Sequence, residues 1–131
     1  MAGEGILIVD DNPVNLKLIR ITLAVAGYDV QTAIDAEQAM SVLASFRPRL
    51  ILMDIQLPGM DGLELTRRLK ADPATRDAIV LAVTAYAMKG DEQRALEAGC
   101  DGYVTKPIDT RTLADTIARS LEQSTASEAR R

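Results

Sequence analysis

Two apolar runs in this sequence stop on aspartate. In "ILIVDD", Ile6 to Val9 lead into Asp10 and Asp11; in "LILMD", Leu50 to Met53 lead into Asp54. Two further runs stop on other polar groups, "AIVLAVTA" at Thr84 and "GYVTKP" at Lys106. Gathered in one crevice, three carboxylates do not coexist uncompensated. Two unit charges ~4 Å apart at an effective dielectric near 20 repel by about 4 kcal/mol, so one acid takes a proton or a cation comes. Hard oxygen donors without sulfur or imidazole favour Mg2+, which keeps several waters and takes a further ligand from phosphate. A hydroxyl and a mobile ammonium beside such a site suit an anion. The set as a whole suits a phosphoryl group held on a carboxylate.

The elements that must gather these residues are legible in the spacing. The apolar stretches at 6–9, 50–53 and 79–83 are continuous rather than alternating, as in strands covered on both faces. Shorter mixed runs at 28–33 and 102–105 complete five strands. Between them the apolar period is 3.6: Ala36, Ala39, Met40, Leu43 and Phe46 share one helical face, with Asp35 at the N-cap and Gln38 three residues on. A first helix starts with Asn12 or Asp11 capping and Pro13 at its first position, and runs through Leu16, Ile19 and Leu23 to Gly27. The helix after Thr84 has Gly90 near its start and only Met88, Ala95 and Leu96 as anchors, which predicts a loose element. The last helix repeats Leu113, Ile117 and Leu121; the polar stretch 122–131 is expected to fray, leaving a domain over 1–121.

Strands alternating with helices predict an α/β fold, a doubly wound, flavodoxin-like five-stranded parallel sheet of order 2-1-3-4-5 with helices on both faces. Ligands bind such a sheet outside the carboxyl ends of the strands, where the order reverses. The first and third strands flank that reversal. The architecture therefore predicts Asp10, Asp11 and Asp54 in one crevice.

Composition narrows the chemistry. At 131 residues and 14.2 kDa the chain makes one domain, and 47% hydrophobic residues suffice for its core. A net charge of −4 argues against a nucleic-acid grip, which needs a basic face. No apolar run approaches the ~20 residues of a membrane span, and "MAGEG" lacks the basic and apolar parts of a signal peptide. A single cysteine, Cys100, fits a reducing cytoplasm and is expected to be a small packed residue after a helix-ending glycine. The opening Met1 leads us to expect a complete protein. Histidine is absent, which excludes Ser-His-Asp and Cys-His nucleophile systems and nearly all zinc sites.

Taken singly, each residue has a plainer reading. Asp10-Asp11 serves equally as a helix cap before Pro13, Asp54 as the start of a turn into "LPGMDG", Thr84 as a strand end and Lys106 as a solvated charge. Their joint placement carries the inference.

"ILIVDDNPVN", "LILMDIQLPGMDG", "VTAYAM" and "YVTKPI" resemble the motifs of the response-regulator receiver domain of two-component signalling, over about residues 5–121. "AVTAYAMKGDEQRALEAGC" further resembles single-domain cell-division regulators of the DivK type and receivers of hybrid kinases. The resemblance implies that Asp54 accepts the phosphoryl group, and that Asp10 and Asp11 bind Mg2+ with the Gln56 backbone carbonyl. It implies that Thr84 and Lys106 contact the phosphoryl group, that Tyr103 is an aromatic switch residue, and that the Lys106–Pro107 bond is cis, a form cheap only before proline.

These features predict a single-domain response regulator, not an enzyme beyond assisting its own phosphorylation and dephosphorylation. The resemblance implies a histidine kinase or histidine phosphotransfer protein as donor, and the absence of histidine fits, because the phosphohistidine must then come from another chain. Asn15, Leu16 and Ile19 on the first helix are expected to dock that donor. Gln56 and Tyr86, each two residues past a site residue, are expected to tune the lifetime of the phosphoryl group. A downstream protein is expected at the surface of the fourth helix, fifth strand and fifth helix. A rival reading is a small Mg2+-dependent aspartyl-phosphate phosphatase, but Gln56 stands where such enzymes place a second acid. A flavodoxin-like nucleotide binder is a further rival, yet "DDNPVN" offers no glycine-rich phosphate loop.

Overall fold

The computed structural model describes residues 3–57, 59–84, 89–106 and 108–129, with 89–92 and 123–129 described by their backbone alone. Five strands alternate with five helices: β1 (Gly5–Val9), α1 (Pro13–Val25), β2 (Asp29–Ala33), α2 (Ala36–Leu43), β3 (Leu50–Asp54), α3 (Gly62–Ala71), β4 (Ile79–Thr84), α4 (Lys89–Ala98), β5 (Gly102–Thr105) and α5 (Thr110–Ala129). The sheet is wholly parallel, as the strand and helix alternation predicts, and its order β2-β1-β3-β4-β5 is the one expected above.

Alternate strand residues feed two separate cores, which explains why the strands do not alternate in polarity. Leu7, Val9, Ile51, Met53, Val80 and Ala82 face α2, α3 and α4. Ile6, Ile8, Leu50, Leu52, Ile79 and Leu81 face the other way, onto Leu16, Ile19 and Leu23 of α1 and Leu113, Ile117 and Leu121 of α5. Helix ends follow their local chemistry. The Asn12 side chain accepts from the Val14 and Asn15 amides, so Asn12 rather than Asp11 caps α1, with Pro13 at the first helical position. Gly27, at φ 101°, ends that helix in a left-handed conformation that a side chain disfavours. Asp35 caps α2 through the Gln38 amide, and the Gln38 side chain reaches back to the Ile34 amide.

Two expectations are corrected here. Met40 leaves the core stripe of α2: it is 46% exposed, because Ala36, Ala39 and Leu43 already fill the inward face. On α4 the inward residues are Ala95 and Ala98, whereas Leu96 is 56% exposed. The last helix runs on past Leu121 to Ala129, with no glycine or proline to interrupt "EQSTASEA". Met88 lies outside the described residues. Cys100 is buried against Thr66, and burial pushes its thiol pKa up, as befits a packing residue. Among the described residues no helix is long and apolar enough to cross a membrane.

Candidate functional site

Each strand named by the sequence delivers its polar residue to one end of the sheet. Asp54 is the last residue of β3, in register with Val83, and Thr84 ends β4 in register with Thr105. Asp10 follows β1, where its amide donates to the Ala33 carbonyl. Lys106 follows β5, where its amide donates to the Thr84 carbonyl at 2.7 Å. One carboxylate oxygen each from Asp10, Asp11 and Asp54 lies within 4.8 Å of the other two. The predicted crevice is present.

Asp10 and Asp54 are each 2% exposed, and Asp11 lies open at the rim. Backbone geometry aims the two buried acids: Asp10 Oδ1 accepts from the Asn12 amide and Asp54 Oδ1 from the Gln56 amide, both at 2.9 Å. Lys106 Nζ donates to Asp54 Oδ2 at 2.8 Å and stands 3.9 Å from Asp10 Oδ2. Burial works against the Lys106 ammonium, but the hydrogen bond and charge of Asp54, then Asp10 and Asp11, outweigh it and raise its pKa. Asp10 is raised above the ordinary carboxylate value chiefly by burial; the Asn12 amide and Lys106 counter this, while the Asp54 and Asp11 charges add to it.

That electrostatic frustration has a measurable consequence. Because folding raises the Asp10 pKa, ionising Asp10 costs stability, and the cost is complete above the folded pKa. It fades as pH falls toward the unfolded value of 3.8. Asn at this position keeps the acceptor for the Asn12 amide and removes the charge. In chelator at pH 7, Asp10→Asn is expected to unfold at a temperature a few degrees higher, a gain on the order of 1 kcal/mol. Thermal scans should show that gain shrinking toward pH 4. A parent and variant that melt together at both pH values would remove charge crowding as a property of the site.

The donor set fits a hard divalent cation. All three ligands are oxygens, and with every acid ionised Lys106 offsets one of three charges among the described residues. Gln56, exposed and two residues beyond Asp54, is tied to it through its amide.

Not every predicted residue lies where expected. Leu16 and Ile19 are 7% and 3% exposed and belong to the core, because positions 16, 19 and 23 form the inward stripe of α1. The apolar residues α1 presents outward are Val14, Leu18, Ile21 and Val25. The sequence carries that signal as a second apolar stripe at four-, three- and four-residue steps. A cavity of about 400 Å3 opens between α1 and the start of α5, lined by Asn15, Leu18, Ile19, Lys106, Ile108 and Thr110. Tyr103 is 43% exposed on the edge strand. Tyr86 and the Lys106–Pro107 bond lie outside the described residues.

A doubly wound sheet with acids after β1, an acid ending β3, a hydroxyl ending β4 and a lysine after β5 is the architecture of a phosphoacceptor module. The sequence model of the response regulator receiver domain matches residues 6–118, and the chain belongs to that family. A polar-differentiation response regulator, DivK, of Brucella anthropi is 44% identical over 118 residues, covering 90% of this chain and 96% of that protein. The chemotaxis response regulator CheY4 of Vibrio cholerae superposes with a TM-score of 0.85 at 27% identity, covering 90% of this chain and 98% of that one. The receiver domain of a Pseudomonas aeruginosa sensor histidine kinase was solved with a magnesium ion coordinated in its active-site cleft. It superposes with a TM-score of 0.83 at 37% identity, covering 92% of this chain and 99% of that one. Family and site together disfavour the phosphatase reading, and no second acid stands at Gln56.

Proposed function

We propose that this receiver takes a phosphoryl group onto Asp54 from the phosphohistidine of a histidine kinase or phosphotransfer protein in the cytoplasm, and answers by reshaping a protein-binding surface. The observation that carries this reading is the gathering of three carboxylates at the carboxyl ends of the strands, with one lysine reaching two of them. Asp54 acts as nucleophile: its oxygen bonds to phosphorus as the P–N bond of the donor breaks, and the imidazole leaves. The chain turns over no substrate of its own beyond gaining and losing this group. Asp10, Asp11, Asp54 and the Gln56 carbonyl would hold Mg2+, which when bound offsets charge on the phosphoryl oxygens. Lys106, now paired with Asp54, keeps an ammonium at the same place, and the Thr84 hydroxyl supplies a hydrogen bond. Gln56 and Tyr86 overhang the site in sequence and regulate water's access to the acyl phosphate. Thr84 and Tyr103 relay the change to the surface of α4, β5 and α5, where a downstream protein binds.

The cleft beside Lys106 supports a donor docking there. Leu18 and Val14, at 51% and 72% exposed, offer apolar contact on α1, and Asn15 and Leu18 line the cavity together with Lys106. The test compares two donors. With Mg2+, the parent should gain one phosphoryl group from a small-molecule phosphodonor and from a phosphorylated histidine phosphotransfer protein, and neither transfer should survive chelation. Asn15→Ala with Leu18→Ala should slow the protein donor about tenfold, the loss of one good interface contact. The small-molecule rate should stay at the parent value. Equal slowing of both would place these residues in the chemistry or the stability of the domain.

A further inference from the structure

We propose that the cavity between α2 and α3 is a second recognition site, seating an apolar side chain and an adjacent cation from a protein partner, and that its occupancy is felt at the acceptor loop. The cavity measures about 440 Å3 and is separate from the donor cleft. That volume falls within the range of roughly 300–1,000 Å3 typical of sites that bind small ligands. Ala36, Met40, Met60 and Leu65 form its wall. Leu65 and Ala36 are core residues at its base, whereas Met40 is half exposed at its mouth, with Ile34, 48% exposed, two residues before Ala36. Methionine walls adapt to the side chain they receive, because the thioether is flexible and polarizable.

The rim fixes the sign of the occupant. Asp35 and Glu37 stand at the start of α2 and line the cavity. Asp35 is engaged only in capping the helix, and among the described residues no cation pairs with either acid. The one basic residue at the rim, Arg68, stands 3.6 Å from Glu64 and is thereby partly committed. An apolar anchor followed by lysine or arginine meets both the wall and the uncompensated acids. A segment with an acidic flank meets repulsion.

The remaining wall is the loop between β3 and α3, represented by Gly59 and Met60. That loop starts at Asp54 and is tied at both ends: the Ile55 amide donates to the Val83 carbonyl, and the Gly62 amide to the Ile55 carbonyl. A side chain resting on Met60 therefore presses on the segment that carries Gln56 and follows the acceptor. This coupling rests on Asp54 being the acceptor; the recognition site itself does not.

The probe is acetyl-Phe-Arg-amide, titrated into the full chain with Mg2+ present and followed by backbone NMR. Saturable shifts are expected at Ala36, Met40, Gly59 and Met60, extending to Gln56. Acetyl-Phe-Glu-amide and acetyl-Phe-amide should each bind at least threefold more weakly. Glu37→Gln and Met40→Gln, both at solvent-facing positions, should weaken the basic probe at least threefold while leaving the parent spectrum elsewhere intact. Probe at its parent Kd should change the rate of labelling by a small-molecule phosphodonor measurably in the parent and less in Met40→Gln, whose effect should be recovered at higher probe concentration. Shifts centred on Asp10 and Asp11 would mean simple attraction to the acidic crevice, and equal binding of all three probes would mean an unselective apolar hole; either result overturns the site. Binding at α2 and α3 with an unchanged labelling rate overturns the coupling alone, whereas a parent that takes no label at all counts against Asp54.

Discussion

Asparagine in place of Asp54 is expected to abolish phosphoryl uptake. In the parent, intact-mass measurement after incubation with a small-molecule phosphodonor and Mg2+ should find one added phosphoryl group; in Asp54→Asn it should find none. The amide is nearly the same size, and its oxygen can still accept from the Gln56 amide, so the fold has little reason to change. What disappears is the anionic nucleophile, and with it the acyl phosphate. A pH control shows that the variant is folded and altered where intended. Lys106 has a folded pKa above its ordinary 10.5, so its pairing contributes stability that is complete below that value and is lost as pH climbs through the raised one. Without the Asp54 charge that alkaline loss should be shallower in the variant. Equal labelling of parent and variant would mean that another carboxylate in the crevice is the acceptor.

Alanine at Gly62 should be nearly as damaging, for a reason no functional motif advertises. Gly62 opens α3 directly over the end of β3, and a methyl group there would overlap the Asp54 carbonyl oxygen and come within 2.8 Å of Ile55 Cα. Both obstacles are backbone, so neither can turn aside. Overpacking of this kind costs roughly 1–3 kcal/mol, and relief requires β3 or α3 to move. A displacement of about 1 Å at a reacting group can cost on the order of a hundredfold in rate. Gly62→Ala should therefore melt several degrees lower and, where folded, label far more slowly than the parent. A variant with parental melting temperature and rate would show that β3 and α3 are not in such close contact.

The sequence was most informative where one physical signal had a single outlet. Continuous apolar runs at β1, β3 and β4 require cover on both faces, and the two cores supply it. Asn12, Pro13, Asp35 and Gly27 punctuate their helices because capping is chemistry between near neighbours. The acids at the strand ends were legible because a doubly wound sheet leaves one natural place for them. What stayed hidden depended on geometry across the fold. Leu16 and Leu18 look alike in the sequence, and only the direction in which α1 faces the sheet buries one and exposes the other. Met40 fits a helical period that its neighbours had already satisfied. The Lys70 ammonium donates to the Ala78 carbonyl and pairs with Asp101, which in turn accepts from the Val80 amide. No local pattern announces that clasp, because its two charges are 31 residues apart.

The sheet also works as a partition. Its two cores share no side chain among the described residues, since odd and even positions of each strand point to opposite faces. The helices that would greet a donor, α1 and the start of α5, rest on one core, while α2, α3 and α4 rest on the other. A substitution in the outward face of α1 thus leaves the packing beneath α4 undisturbed, and one in α4 leaves α1 in place. If donor and downstream partner use the opposite faces proposed above, each face can drift along its own lineage of substitution, with the strand ends that carry Asp54 and Thr84 common to both.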